Sequence, residues 1–89
     1  MTYTVRLAVP VQKALDRIDP AARRRIIRHL EALEENPRPV GVVKLAGAYD
    51  LYRVRVGDWR IVYSIRDREL LVLVVKIGNR RDVYRARYN

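Results

Sequence analysis

The chain contains no cysteine, which excludes disulfides, thiolate metal sites and cysteine nucleophiles. That absence suits a reducing compartment. Its single histidine, His29, excludes any mechanism that needs a pair of imidazoles, and it falls in the middle of a helical stretch rather than beside other polar chemistry. No apolar run approaches the roughly 20 residues needed to span a bilayer. The longest, residues 70–75, has the length of a strand. The opening MTYTVRLAVP lacks a basic segment followed by a long apolar one, so no signal peptide and no membrane association are expected, and a cytoplasmic location is. Carboxylates are scarce, 10 against 19 Lys+Arg, and Asp50, Asp58 and Asp67 read as loop and turn residues. Neither a metal site nor a cofactor is expected.

What remains is basic and hydrophobic. The 89 residues suffice for one small domain over 1–89, with 49% hydrophobic residues to build a core. A chain of this size buries only about 60–65% of its unfolded surface, so stability is modest. The net charge is +9 and the pI near 10.6, a balance that fits a polyanionic partner, either nucleic acid or an acidic protein. Arginine outnumbers lysine 16 to 3, and its planar fork matches phosphate better than a point charge does. The excess leans toward the second half: +3 over residues 1–43 and +6 over 44–89.

Hydrophobic periodicity orders the elements. Residues 2–8 alternate, with Tyr3, Val5 and Leu7 on one face of a strand. Val11, Ala14, Leu15 and Ile18 recur at helical spacing over 10–18. Asp19-Pro20 supplies an N-cap and a first helical residue for a second helix to Glu35, striped by Ala22, Ile26, Ile27, Leu30 and Leu33. Asn36-Pro37-Arg38-Pro39 ends it. Residues 36–49 read as a loop, with a short extended piece at Val42-Val43. Three strands then fill residues 50–77, turned at Gly57-Asp58 and at Asp67-Arg68. The expected architecture is α+β: β-α-α-β-β-β, with a helical hairpin on one face of a mainly antiparallel four-stranded sheet.

Three arginines lie inside these strands. With Gly57-Asp58 as a two-residue loop, Val56 opposes Trp59, Arg55 opposes Arg60 and Arg53 opposes Val62. Side chains alternate along a strand, so Arg53, Arg55 and Arg60 share one face. Tyr52, Val54, Val56, Trp59, Ile61, Tyr63 and Ile65 share the other, and core packing is the main reading for Tyr52 and Trp59. Like charges opposed across strands destabilise by roughly 0.2–1 kcal/mol, which makes the Arg55–Arg60 pair a feature for holding an anion. The same face is expected to carry Val62, Leu71, Leu73, Val75 and Ile77, a mixed basic and apolar patch of the kind that marks a protein contact.

The runs Lys44-Leu45-Ala46-Gly47, Leu51-Tyr52-Arg53-Val54-Arg55, Gly57-Asp58-Trp59-Arg60-Ile61-Val62-Tyr63 and Asn79-Arg80-Arg81-Asp82-Val83-Tyr84 resemble the RelE branch of the RelE/ParE toxin superfamily over almost the whole chain. The resemblance implies the toxin of a type II toxin–antitoxin pair, an endoribonuclease that cleaves mRNA in the ribosomal A site. The implied chemistry is metal-independent: the RNA 2′-hydroxyl attacks the adjacent phosphate. It implies catalytic roles for Arg53, Arg55, Arg60, Arg80 and Tyr84, with Arg60 on the phosphate, Arg80 at the leaving group and Tyr84 at the C-terminal tyrosine position. Lys44, Arg81, Arg85, Arg24 and Arg28 are expected as further RNA contacts. The implied partners are a small, helix-containing RelB-like antitoxin, the ribosome and mRNA, with operator DNA reached only through the antitoxin complex. Two other readings stand beside it: a ParE-like inhibitor of DNA gyrase, and a decayed module that binds RNA without cutting it. The best-studied relatives carry lysine where this chain has Arg53 and Arg55. Arginine stays protonated, so neither is a conventional base, and that duty passes to Tyr84 or to no protein residue.

Overall fold

The computed structural model describes residues 2–45, 47 and 50–79. A first strand, β1 (Thr4–Leu7), leads directly into α1 (Val9–Asp16), which buries Val11 and Leu15 one turn apart. The helix starts one residue before Pro10 and stops short of Ile18. Tight bonds from the Arg17 and Ile18 amides to the Ala14 and Leu15 carbonyls (3.1 and 3.2 Å) fold the chain over into the next helix. In α2 (Pro20–Glu35) the Asp19 carboxylate accepts the Ala22 amide at 3.2 Å, the N-cap that the sequence leads one to expect. Ile26, Leu30 and Leu33 form its buried stripe. Ile27, adjacent to that stripe, remains 38% exposed.

Among the described residues the sheet has five strands, where four were expected, in the order β1-β5-β4-β3-β2. The addition is β2 (Val43–Lys44), a two-residue edge strand inside the expected loop. It pairs antiparallel with β3 (Leu51–Val56), which pairs antiparallel with β4 (Trp59–Arg66), and that in turn with β5 (Leu71–Asn79). Strand β1 closes the far edge, parallel to β5. The β4–β5 connection is not a two-residue turn at Asp67-Arg68. Asp67–Glu69 form a 3-10 turn, and Leu70 leaves it at φ +50°.

Both helices pack on one face, where Val54, Val56, Ile61, Tyr63, Ile65, Val72, Val74 and Ile77 meet Val11, Leu15, Ile26, Leu30 and Leu33. Tyr52 and Trp59 lie against this core, as expected. Each fully buried aliphatic residue contributes about 1.5–3 kcal/mol. Ile77 belongs here and not on the arginine face. The register slips between Val62 and Tyr63: Val62 pairs with Lys76, Tyr63 with Val74, and Val75 is the extra residue of a β-bulge. Beyond the bulge every β5 side chain has exchanged faces, so Ile77 enters the core and Lys76 leaves it. The opposite face carries a smaller apolar cluster of Val62, Leu45, Leu51 and Val75.

One polar network ties the chain ends of these elements together. The Arg38 guanidinium forks onto Asp67 at 3.1 and 2.9 Å, and Tyr3 donates to the same carboxylate at 2.6 Å. Arg38 and Tyr3 together hold the Asp67 carboxyl down at about 2. Arg38 also lies over the Tyr52 ring, 5.3 Å from its centroid, and Tyr52 stacks on Tyr63 at 6.2 Å.

Candidate functional site

The β3–β4 turn decides where the arginines go. Gly57 has φ +60° while Asp58 stays at negative φ, the pattern of a type II′ hairpin with glycine first. A two-residue loop follows, and the register is the one read from the sequence: Val56 with Trp59, Arg55 with Arg60, Arg53 with Val62. Arg53, Arg55 and Arg60 therefore share the face away from the helices.

The Gly57 carbonyl reconciles the two opposed charges. It accepts a hydrogen bond from Arg55 Nε at 3.1 Å and one from Arg60 Nη1 at 3.4 Å. Arg60 Nη1 also donates to the Trp59 carbonyl at 3.3 Å. Two backbone dipoles thus point their negative ends at the cations, offsetting part of the repulsion. The three arginines differ in exposure: Arg55 is exposed, Arg53 half-buried, and Arg60 only 5% exposed. A guanidinium is weakly hydrated and tolerates such burial better than an ammonium would. Arg60 is consequently a buried charge at the floor of the face, and Arg55 an exposed one at its rim.

The remaining predicted residues divide. Lys44 pairs with Tyr52, which places it on the helix side of the sheet edge rather than beside Arg53. Its neighbour Val43, paired with Arg53, takes the position on the arginine face. Arg24 and Arg28 are exposed on α2, in the layer on the other side of the sheet, and do not converge with the strand arginines. Arg80, Arg81, Tyr84 and Arg85 lie outside the described residues.

Two basic residues were not legible in advance. Arg25 on α2 reaches the hairpin turn, its Nη2 lying 3.0 Å from where a side chain on Gly57 would begin. Lys76 is brought to the arginine face by the bulge. A bulge inside an unbroken apolar strand leaves no compositional mark, so no signal in the sequence could have found it. Among the described residues no cluster of histidine and carboxylate side chains could hold a metal ion, and no helix is long and apolar enough to cross a membrane. A cluster of fixed cations on a sheet can bind and polarise a phosphodiester.

Comparison with known proteins agrees on the family. Residues 5–84 match the ParE toxin of type II toxin–antitoxin systems. The toxin RelG of Mycobacterium tuberculosis is 28% identical over 89 residues, covering 96% of this chain and 99% of that protein. The structure of the archaeal RelE–RelB complex from Pyrococcus horikoshii superposes with a TM-score of 0.81 at 36% identity, over 90% of this chain and 97% of that one. A free Escherichia coli RelE variant gives a TM-score of 0.80 at 25% identity, over 96% and 93% of the two chains. This chain belongs to the ParE toxin family within the RelE/ParE superfamily, and is a toxin of the RelBE type of toxin–antitoxin system.

Proposed function

We propose that the chain is a ribosome-dependent endoribonuclease that cuts mRNA in the A site, held inactive by a RelB-like antitoxin. The observation that carries this reading is the placement of Arg53, Arg55 and Arg60 on one sheet face, two of them gripping the Gly57 carbonyl. In-line attack by a 2′-hydroxyl on the adjacent phosphate gathers negative charge on the non-bridging oxygens. Preorganised cations aimed at those oxygens are each worth about 10²–10³ in rate. Arg60, buried and fixed, is assigned to the phosphate in the transition state. Arg53 and Arg55 hold the flanking backbone, Arg80 serves the leaving group and Tyr84 packs or transfers protons at the cleaved nucleotide. Arg81 and Arg85 extend the RNA contact, while Arg24, Arg28 and Lys44 face ribosomal RNA from other sides.

A cognate antitoxin is supported by the RelE–RelB complexes among the similar structures. The site of action on ribosomes places the protein in the cytoplasm, and operator DNA is reached through the antitoxin complex. The test is primer extension on a translated message in the presence of the toxin, its Arg60→Ala variant, and Arg80→Ala and Tyr84→Ala variants. A-site cuts by the unaltered chain, reduced about 10²–10³-fold in Arg60→Ala, are the expected result. Toxicity without cuts, together with inhibition of gyrase supercoiling, would move the chain to the ParE mode of action. RNA binding without cuts on ribosomes would make it a non-catalytic binder. For that outcome a log–log salt slope near −3.5 corresponds to about five phosphate contacts on a single strand.

A further inference from the structure

We infer that Lys76 is a further catalytic residue of this site, the group that takes the proton from the attacking 2′-hydroxyl. The assignment rests on the nuclease reading above and fills the place that Arg53 and Arg55 cannot, because a guanidinium does not give up its proton in a protein.

Three observations converge on Lys76. The first is the bulge. Val75 is the extra residue on β5, so Lys76 stands opposite Val62 and on the face of Arg53 and Arg60. Without the slip, Lys76 would have shared a face with Tyr63 and the core. Bulges recur beside active sites because they re-aim one side chain in this way.

The second is its surroundings. Val62 lies between Lys76 and Arg53 across the sheet, and Arg60 is the diagonal neighbour, roughly 7–8 Å away between Cα positions. The β5 residue directly opposite Arg60 is Gly78, which carries no side chain to stand between them. Together with Val75 and Ile77, Lys76 also lines a small cavity against Pro10, Val11 and Ala14 of α1. By register the charged residues near it on this sheet face are Arg60 and Arg53, with Arg55 beyond and Arg6 of β1 opposite Leu73. No carboxylate pairs with it among the described residues.

The third is chemical type. Lysine is the residue on this face able to exist with or without its proton, and the described part of the face offers no histidine and no carboxylate. The neutral Nζ accepts the 2′-hydroxyl proton as O2′ forms its bond to phosphorus. The P–O5′ bond then breaks, leaving a 2′,3′-cyclic phosphate. The departing 5′-oxygen takes a proton from water, and the ammonium returns its own to the resulting hydroxide.

The experiment compares single-turnover cleavage of mRNA on programmed ribosomes across a pH series for the full-length toxin, Lys76→Arg and Lys76→Met. Antitoxin binding and thermal unfolding are followed in parallel. Lys76→Arg keeps the stem and the charge but cannot act as a base, so it remains informative if Lys76→Met folds poorly. Both variants are expected to lose about 10²–10⁴-fold in rate, and a rise of rate with pH is expected in the unaltered chain and in neither variant. A Lys76→Arg variant that keeps its rate within a few-fold and retains the same pH limb would overturn the assignment while leaving the nuclease reading intact. Absence of cleavage by the unaltered chain would overturn both.

Discussion

Replacing Tyr63 by phenylalanine isolates a single buried hydrogen bond and its consequence for the whole fold. The Tyr63 ring is fully buried, and its hydroxyl donates to the Pro37 carbonyl at 2.8 Å. Proline supplies no amide of its own, so the loop after α2 depends on such carbonyl contacts to be fastened to the sheet. Tyr63→Phe removes one oxygen and leaves that carbonyl without its donor in a dry setting. An orphaned buried acceptor costs about 1–3 kcal/mol. In a domain of this size each kcal/mol shifts the unfolding midpoint by roughly 4–8 °C. Circular dichroism melts of the two proteins should therefore differ by about 4–24 °C, and their urea midpoints should differ with an unchanged slope. Burial also pushes the Tyr63 phenol well above its ordinary value. A raised value in the folded state means the stabilisation is present below pH ~10 and is lost as pH rises above it, when the unfolded chain ionises and the folded one does not. The phenylalanine variant lacks that alkaline slope. A midpoint within about 2 °C of the parent, which corresponds to less than about 0.5 kcal/mol, would refute the argument that this bond fastens the loop.

Other perturbations probe separate parts of the molecule. Gly57→Ala forces a β-carbon into φ +60°, costing about 1–2 kcal/mol. Adding Arg25→Ala should recover little of that loss in chemical unfolding, since the flexible Arg25 tip at 3.0 Å can move aside; full recovery would show that the close approach and not the backbone sets the cost. Asp67, held at about 2 by Arg38 and Tyr3, gives stability that is fully present above pH ~4 and is lost as pH falls from there to about 2. Acid unfolding followed by Trp59 fluorescence should show this fading in the parent and not in Asp67→Asn. Ser64 has a buried hydroxyl without a hydrogen-bond partner, so Ser64→Ala should leave stability unchanged or raise it by up to about 1 kcal/mol. A loss larger than that in urea unfolding would contradict the assignment.

The parts of this fold that follow local rules could be read directly. Asp19-Pro20 announces α2 because an N-cap and a first-turn proline act within a few residues. The β3–β4 hairpin follows from Gly57 and from alternation on both sides of it, and with it comes the arginine cluster. The features that escaped reading depend on distant partners. The extended piece read at Val42-Val43 lies one residue later, at Val43–Lys44, because the edge of β3 and not any local periodicity sets which residues pair. Residues 70–75 are apolar without alternation, so nothing marks Val75 as the bulge. That single slip misplaced Ile77 and concealed Lys76. The Arg38–Asp67 fork joins residues 29 apart in sequence, and the near-complete burial of Arg60 is equally a product of the assembled sheet.

The parallel pairing of β1 with β5 also has a consequence in time. Thr4 and Leu71 lie far apart in sequence, and among the described residues the segment from Leu71 to Val74 is the sheet partner of Thr4–Leu7. Until that segment emerges, β1 has no strand to join, and the register that carries Lys76 and Gly78 to Arg60 does not exist. Closure over so long a stretch of chain is also among the slower steps of folding. The arginine hairpin is local, whereas the β5 side of its face waits for this long-range closure.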